Sequence, residues 1–119
     1  MTPTSRPTLA DVVIHIDAFG AAATAQFGLR PAAPLALLSH RENAVFRLDD
    51  AVSGERYVLR VHRPGYQNQR SIRSELAWMA ALTEAGVTTP STLAGVDGDP
   101  VQAVTIDAIG AAFNCEVFH

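Results

Sequence analysis

Lysine is absent from the chain, and all 9 positive charges are arginine. We attribute this to a GC-rich coding bias. The 12 acidic residues leave a formal net charge of −3, so there is no basic footprint for duplex or single-stranded nucleic acid. Only one cysteine occurs, Cys115, which excludes an intramolecular disulfide and argues against a cysteine-based metal site. The four histidines, His15, His40, His62 and His119, show no metal-ligand spacing. No apolar run approaches the roughly 20 residues needed to cross a bilayer. The first residues, Met1 to Pro7, carry no apolar signal core, and a cytoplasmic location is the expectation. What remains is 119 residues, 48 % hydrophobic and 18 % charged, a composition suited to one domain with one core.

Hydrophobic periodicity orders the chain. Thr8 with Asp11 gives a capping-box-like start, and Leu9, Val12, Val13, Ile16, Ala23 and Phe27 recur at helical spacing until Gly28 and Pro31. This predicts one amphipathic N-terminal helix. Three extended segments follow, Leu35 to Ser39, Ala44 to Leu48 and Tyr57 to His62, which read as an antiparallel meander. In the third, Tyr57, Leu59 and Val61 share one face, and Val58, Arg60 and His62 share the other. A helix is predicted from about Asn68 to Ala85, with Ile72, Leu76, Met79 and Leu82 as its buried stripe and Gly86 as its stop. Leu93 to Val96 and Val101 to Ile106 flank Asp97-Gly98-Asp99-Pro100 and read as a hairpin. A last extended piece runs from Phe113 to Phe118.

Several of these residues carry chemistry. Phosphoryl transfer requires the nucleotide phosphates to be held and their charge neutralised. Arg60 sits mid-strand, where a cation reaches phosphate oxygens with fixed geometry. Glu75 borders the apolar stripe of the long helix, from where a carboxylate can turn towards the sheet and pair with Arg60. Ser39 to Asn43 forms a polar strand turn whose backbone N–H groups could cover phosphates.

With these residues in view, the chain resembles the aminoglycoside phosphotransferase, choline kinase and type II homoserine kinase group. Glu42-Asn43-Ala44-Val45-Phe46-Arg47 resembles the glycine-poor nucleotide loop and second strand. Tyr57-Val58-Leu59-Arg60-Val61-His62-Arg63-Pro64 resembles the third strand, and Ile72-Arg73-Ser74-Glu75-Leu76-Ala77-Trp78 the helix that carries the partner glutamate. The resemblance covers roughly residues 35–118. That family more often places lysine where this chain has Arg60; arginine adds bidentate phosphate contact but differs in reach and shape.

The resemblance implies an α+β fold, a kinase-like N-lobe. Its parts are an N-terminal helix, a twisted antiparallel sheet of about five strands, and one large helix between strands 3 and 4. A single domain spans 1–119, with residues 1–33 as a helical extension and 34–119 as the lobe. ATP is the implied cofactor, with Ser39, Arg41, Asn43, Arg60 and Glu75 as the nucleotide-binding residues. The catalytic aspartate and the magnesium carboxylates of such a family lie in a C-lobe, which is not expected within these residues. Magnesium is therefore expected only if a C-lobe is supplied.

Two fragments imitate catalytic motifs. His15-Ile16-Asp17 matches HxD but lies ahead of the phosphate-binding strand, and Ala22 stands where the motif needs asparagine. Asp97-Gly98-Asp99 looks like a metal loop, but glycine and Pro100 explain it as a tight turn. Asn114 and Glu116 interrupt a strand expected to be more apolar, and the chain stops where a lobe crossover is expected, as a truncated or frame-shifted product would. The expected activity is thus a nucleotide-binding lobe without turnover of its own. The alternative is a non-catalytic interaction module that self-associates or pairs with a separate chain through an exposed sheet surface.

Overall fold

The computed structural model describes residues 7–64 and 69–119. The predicted N-terminal helix is two helices, α1 (Leu9–Ile14) and α2 (Ile16–Gln26), separated at His15, whose ψ of 28° is not helical. Hydrogen bonding continues through the break, with His15 N–H donating to Asp11 C=O and Phe19 N–H to His15 C=O. The break therefore bends the segment without ending it. At its start, Thr8 N–H donates to the Asp11 carboxylate at 2.8 Å, the reciprocal arm of a capping box. At its end, Gly28 takes φ +68° while Leu29 N–H reaches Thr24 C=O and Gly28 N–H reaches Ala25 C=O. This is a Schellman stop, open to glycine because it lacks a Cβ.

Six strands form one antiparallel sheet: β1 (Ala36–His40), β2 (Asn43–Asp49), β3 (Arg56–His62), β4 (Thr92–Leu93), β5 (Gln102–Thr105) and β6 (Ala112–Phe118). The order is β1-β2-β3-β6-β4, with β5 also on β6. Helix α3 (Gln69–Glu84) lies between β3 and β4 in sequence; its predicted start at Asn68 is outside the described residues. It ends in the same Schellman geometry as α2, with Gly86 at φ +92° and Val87 N–H bonded to Leu82 C=O.

The expected hairpin around Asp97-Gly98-Asp99-Pro100 does not form. β4 and β5 do not pair with each other. Thr92 and Leu93 pair with Phe118 and Val117, and Gln102 to Thr105 pair with Cys115 to Ala112. The two short strands lie end to end along the edge of β6 opposite β3, and the intervening chain makes an excursion. Its turn residues act locally: the Asp97 carboxylate accepts from Asp99 N–H and from Gln102 Nε2, and Asp99 accepts both arms of Arg73 on α3 at 2.8 and 2.7 Å.

The sheet has apolar cores on both faces. On one face, Phe46, Leu48, Leu59, Val61, Phe113 and Val117 pack with Leu9, Val12, Phe19, Ala23 and Phe27 of α1 and α2. Phe19 and Phe113 meet edge to face at 5.7 Å. On the other face, Ile72 and Leu76 of α3 pack with Val101, Phe118 and Val58. Met79 is half-buried beside them, and Leu82 is half-exposed. Among the described residues, no helix is long and apolar enough to cross a membrane.

Asp50 ties the N-terminal segment to the sheet. Its carboxylate accepts from Arg30 N–H at 2.9 Å, Ser53 N–H at 2.9 Å and Ser53 Oγ at 2.8 Å. These bonds, the Arg30 one foremost, lower its pKa from 3.8 to about 2. A lowered folded-state pKa gives stability that is complete above the unfolded pKa and is lost as pH falls through the folded one. Asp50→Asn should therefore lower the melting temperature at pH 7, and the gap to wild type should close as pH falls from about 4 to about 2, readable by thermal melts at several pH values. Separately, Phe113→Ala should cost about 3–5 kcal/mol in chemical denaturation, because a fully buried aromatic leaves a cavity.

Candidate nucleotide site on the sheet

Alternation in β3 sends Tyr57, Leu59 and Val61 into the core under α1 and α2, which turns Val58, Arg60 and His62 to the α3 face. β2 places Val45 directly across from Arg60, and β6 places Glu116 across from it on the other side. Val45, Arg60 and Glu116 thus form one row over three strands.

Arg60 is held by two carboxylates. Its Nη1 donates to Glu75 of α3 at 3.0 Å. Its Nε donates to Glu116 Oε1 at 3.2 Å, and its Nη2 donates to the same oxygen. The second oxygen of Glu116 meets His62 Nε2 at 2.5 Å. Phe118, two residues on, lies under the guanidinium with 4.9 Å between Cζ and the ring centroid. The Arg60 side chain is 17 % exposed, Glu75 37 % and Glu116 0 %. Burial works against the arginine's charge, but Glu116 and then Glu75 outweigh it and raise its pKa above the ordinary value.

The Arg60–Glu75 pair expected from the sequence therefore forms. In the sequence Glu116 is only a polar interruption of a strand. It is instead the most buried member of the network. The signal was the period-two alternation of Phe113-Asn114-Cys115-Glu116-Val117-Phe118, which puts Glu116 on Arg60's face once β6 lies beside β3. Asn114, the other interruption, accepts from Gln69 of α3 at 3.2 Å. His62 shares Arg60's face but is buried and faces Glu116, so it does not open onto a cleft.

Two hollows flank this row. One, about 330 Å3, is lined by Val45, Val58, Met79 and Phe118, with Arg60 and Glu75 at its polar side. The other, about 410 Å3 and more polar, lies at the β1–β2 turn and is lined by Ser39, Arg41, Glu42, Asn43 and Val45. Val45 borders both. Ser39, Arg41 and Asn43 are thus together in one hollow, and Arg60 and Glu75 in its neighbour. In the first, Asn43 Oδ1 is buried with no hydrogen-bond partner among the described residues.

The motif imitations stand apart from this site. His15-Ile16-Asp17 falls at the α1–α2 junction, on the opposite face of the sheet. Asp97 and Asp99 are occupied by their turn and by Arg73. Among the described residues, no group of three or more His, Cys, Asp or Glu side chains is arranged to hold a metal ion.

An antiparallel sheet bearing one helix between its third and fourth strands, with a cation on the third strand paired to a carboxylate on that helix, is the architecture of a kinase N-terminal lobe. The chain belongs to the phosphotransferase enzyme family, whose model matches residues 35–112. Among solved structures it is similar to a microcompartment-associated aminopropanol kinase, at 30 % identity and a TM-score of 0.70, covering 91 % of this chain and 31 % of that one. It is similar in fold to the amicoumacin kinase hAmiN in complex with AMP-PNP, Ca2+ and Ami, at 23 % identity and a TM-score of 0.65, covering 91 % of this chain and 30 % of that one. The chain thus spans about a third of the length of these kinases. A sequence comparison with curated proteins finds no match.

Cys115, next to Glu116, points into the opposite core; burial, and then the Glu116 charge, push its thiol pKa well up. The folded protein should not react with a maleimide at pH 7 and should react fully once unfolded, as mass spectrometry would show.

Proposed function

We propose that this chain is the nucleotide-binding lobe of an ATP-dependent phosphotransferase that phosphorylates a hydroxyl of a small molecule. The observation that carries the reading is Arg60, a half-buried cation fixed on the sheet and bordering an apolar hollow. Among the described residues, three of its five N–H donors meet Glu75 and Glu116, and two are left for a ligand. The hollow beside it has the apolar lining that suits an aromatic base. The turn hollow at Ser39, Arg41 and Asn43 offers a second polar surface in reach of phosphates. ATP therefore fits the residues present, with its base against Val45, Val58 and Phe118 and its phosphates towards Arg60.

Magnesium does not fit the described residues in the same way, because they offer no carboxylate cluster. On this reading the metal carboxylates and the proton-accepting aspartate belong to a further lobe, and residues 1–33 are a helical extension of the lobe formed by 34–119. The isolated 119-residue chain then binds ATP weakly and transfers no phosphate. The cytoplasm, where ATP is plentiful, is its proposed location.

Calorimetric titration should give a Kd for ATP weaker than about 1 μM. Arg60→Ala should weaken it at least about tenfold, as expected for loss of a charged hydrogen bond. Tighter binding, or measurable phosphate transfer by the chain alone, would contradict the proposal.

A second reading, an association module, draws on β1. It is an edge strand with Leu37 and Leu38 exposed, and unpaired strand edges invite pairing with another chain. Light scattering across a concentration series decides it: a monomer throughout removes the self-association form of this reading.

A further inference from the structure

We propose that Glu116 is the positioning residue for Arg60, and that Arg60 keeps its place on the sheet independently of helix α3. The inference rests on the nucleotide-lobe reading above for its functional meaning, but its geometry stands apart from it.

In the kinase arrangement of one sheet cation and one helix carboxylate, moving the helix releases the cation. Here the two carboxylates are not equivalent. Glu116 takes two of the three donated bonds, through Nε and Nη2, and so fixes the guanidinium plane. Glu75 takes one, at the tip, through Nη1. Glu116 comes from the strand hydrogen-bonded to β3, directly across from Arg60, so both ends of the interaction are set by one ladder. Glu75 comes from a helix that buries only Ile72 and Leu76 of its 16 residues. Glu116 is itself held: His62, also buried, occupies its other oxygen, which leaves Oε1 to the arginine. Phe118 closes the guanidinium from below. Displacement of α3 therefore removes one bond and leaves the plane intact, whereas loss of Glu116 removes the fixed partner and leaves a half-buried cation with only the half-exposed Glu75.

Arginine suits this device and lysine does not. A guanidinium presents separate N–H edges to two carboxylates at once, while an ammonium is a point charge. The departure from lysine at position 60 and the glutamate at position 116 are, on this proposal, two halves of one feature.

The test uses the 119-residue chain, with the Arg60 Nε–H proton followed by NMR, assigned through its loss in Arg60→Lys. In wild type this proton should be shifted from the free-arginine position and slow to exchange with water. Glu75→Gln, at a partly exposed helix position, should keep that signal. Glu116→Ala, which removes the acceptor, should lose the signal and weaken ATP at least about tenfold. If Glu116→Ala fails to fold, Glu116→Asp keeps the charge but withdraws the carboxylate by one methylene, and the same loss is expected. Loss of the signal in Glu75→Gln overturns the proposal whatever the Glu116 variants do, as does its retention in a folded Glu116 variant. If wild type binds no ATP, the nucleotide-lobe reading fails, while the Arg60 signal still decides whether Glu116 positions the arginine.

Discussion

A carboxylate that water cannot reach must be neutralised where it lies, because an uncompensated buried charge costs several kcal/mol. Glu116 is such a group, and its partners are Arg60 and His62 on the adjoining strand. The arrangement of the α3 face depends on meeting that requirement. It fixes the register of β6 against β3, since a slip of one residue would turn Glu116 into the apolar core on the other face. It turns Arg60 towards α3 and keeps His62 beneath it. The same register puts Phe118 across from Val58, where both close the core under Ile72 and Leu76.

β6 is consequently the strand that assembles the sheet. One edge carries β3, and the other carries β4 and β5 in tandem. Its two faces have different tasks. Phe113, Cys115 and Val117 fill the core beneath the N-terminal helices, while Asn114, Glu116 and Phe118 serve the face that carries Arg60 and α3. A strand with that division cannot be uniformly apolar. The polar residues that look out of place in one dimension are the ones that bind α3 and the arginine in three.

The legible features were local. Glycine stops at Gly28 and Gly86 were readable because a left-handed residue after a helix almost demands glycine. The faces of β2 and β3 were readable because side chains alternate strictly along a strand. The Arg60–Glu75 pair was readable because the family resemblance places a partner glutamate on the helix after the third strand, and Glu75 borders that helix's apolar stripe, from where it can turn to the sheet. Non-local features were not. The break at His15 leaves the helical spacing of Leu9, Val12 and Ala23 almost undisturbed, so periodicity could not show it. The turn at 97–100 makes no hairpin, because turn residues announce a turn without saying which strand the chain pairs with next; β6 claims both β4 and β5.

The sequence alone determined the kinds of element, which face of each is apolar, and the identity of the cation on the third strand, because these follow from spacing and side-chain chemistry within a dozen residues. The tertiary structure alone decided that Arg60 has two carboxylates instead of one. Glu116 lies 56 positions away along the chain, and only the pairing of β6 with β3 brings it into reach. Until that pairing exists, nothing distinguishes Glu116 from an exposed acid, and afterwards its burial makes the arginine the charge that neutralises it.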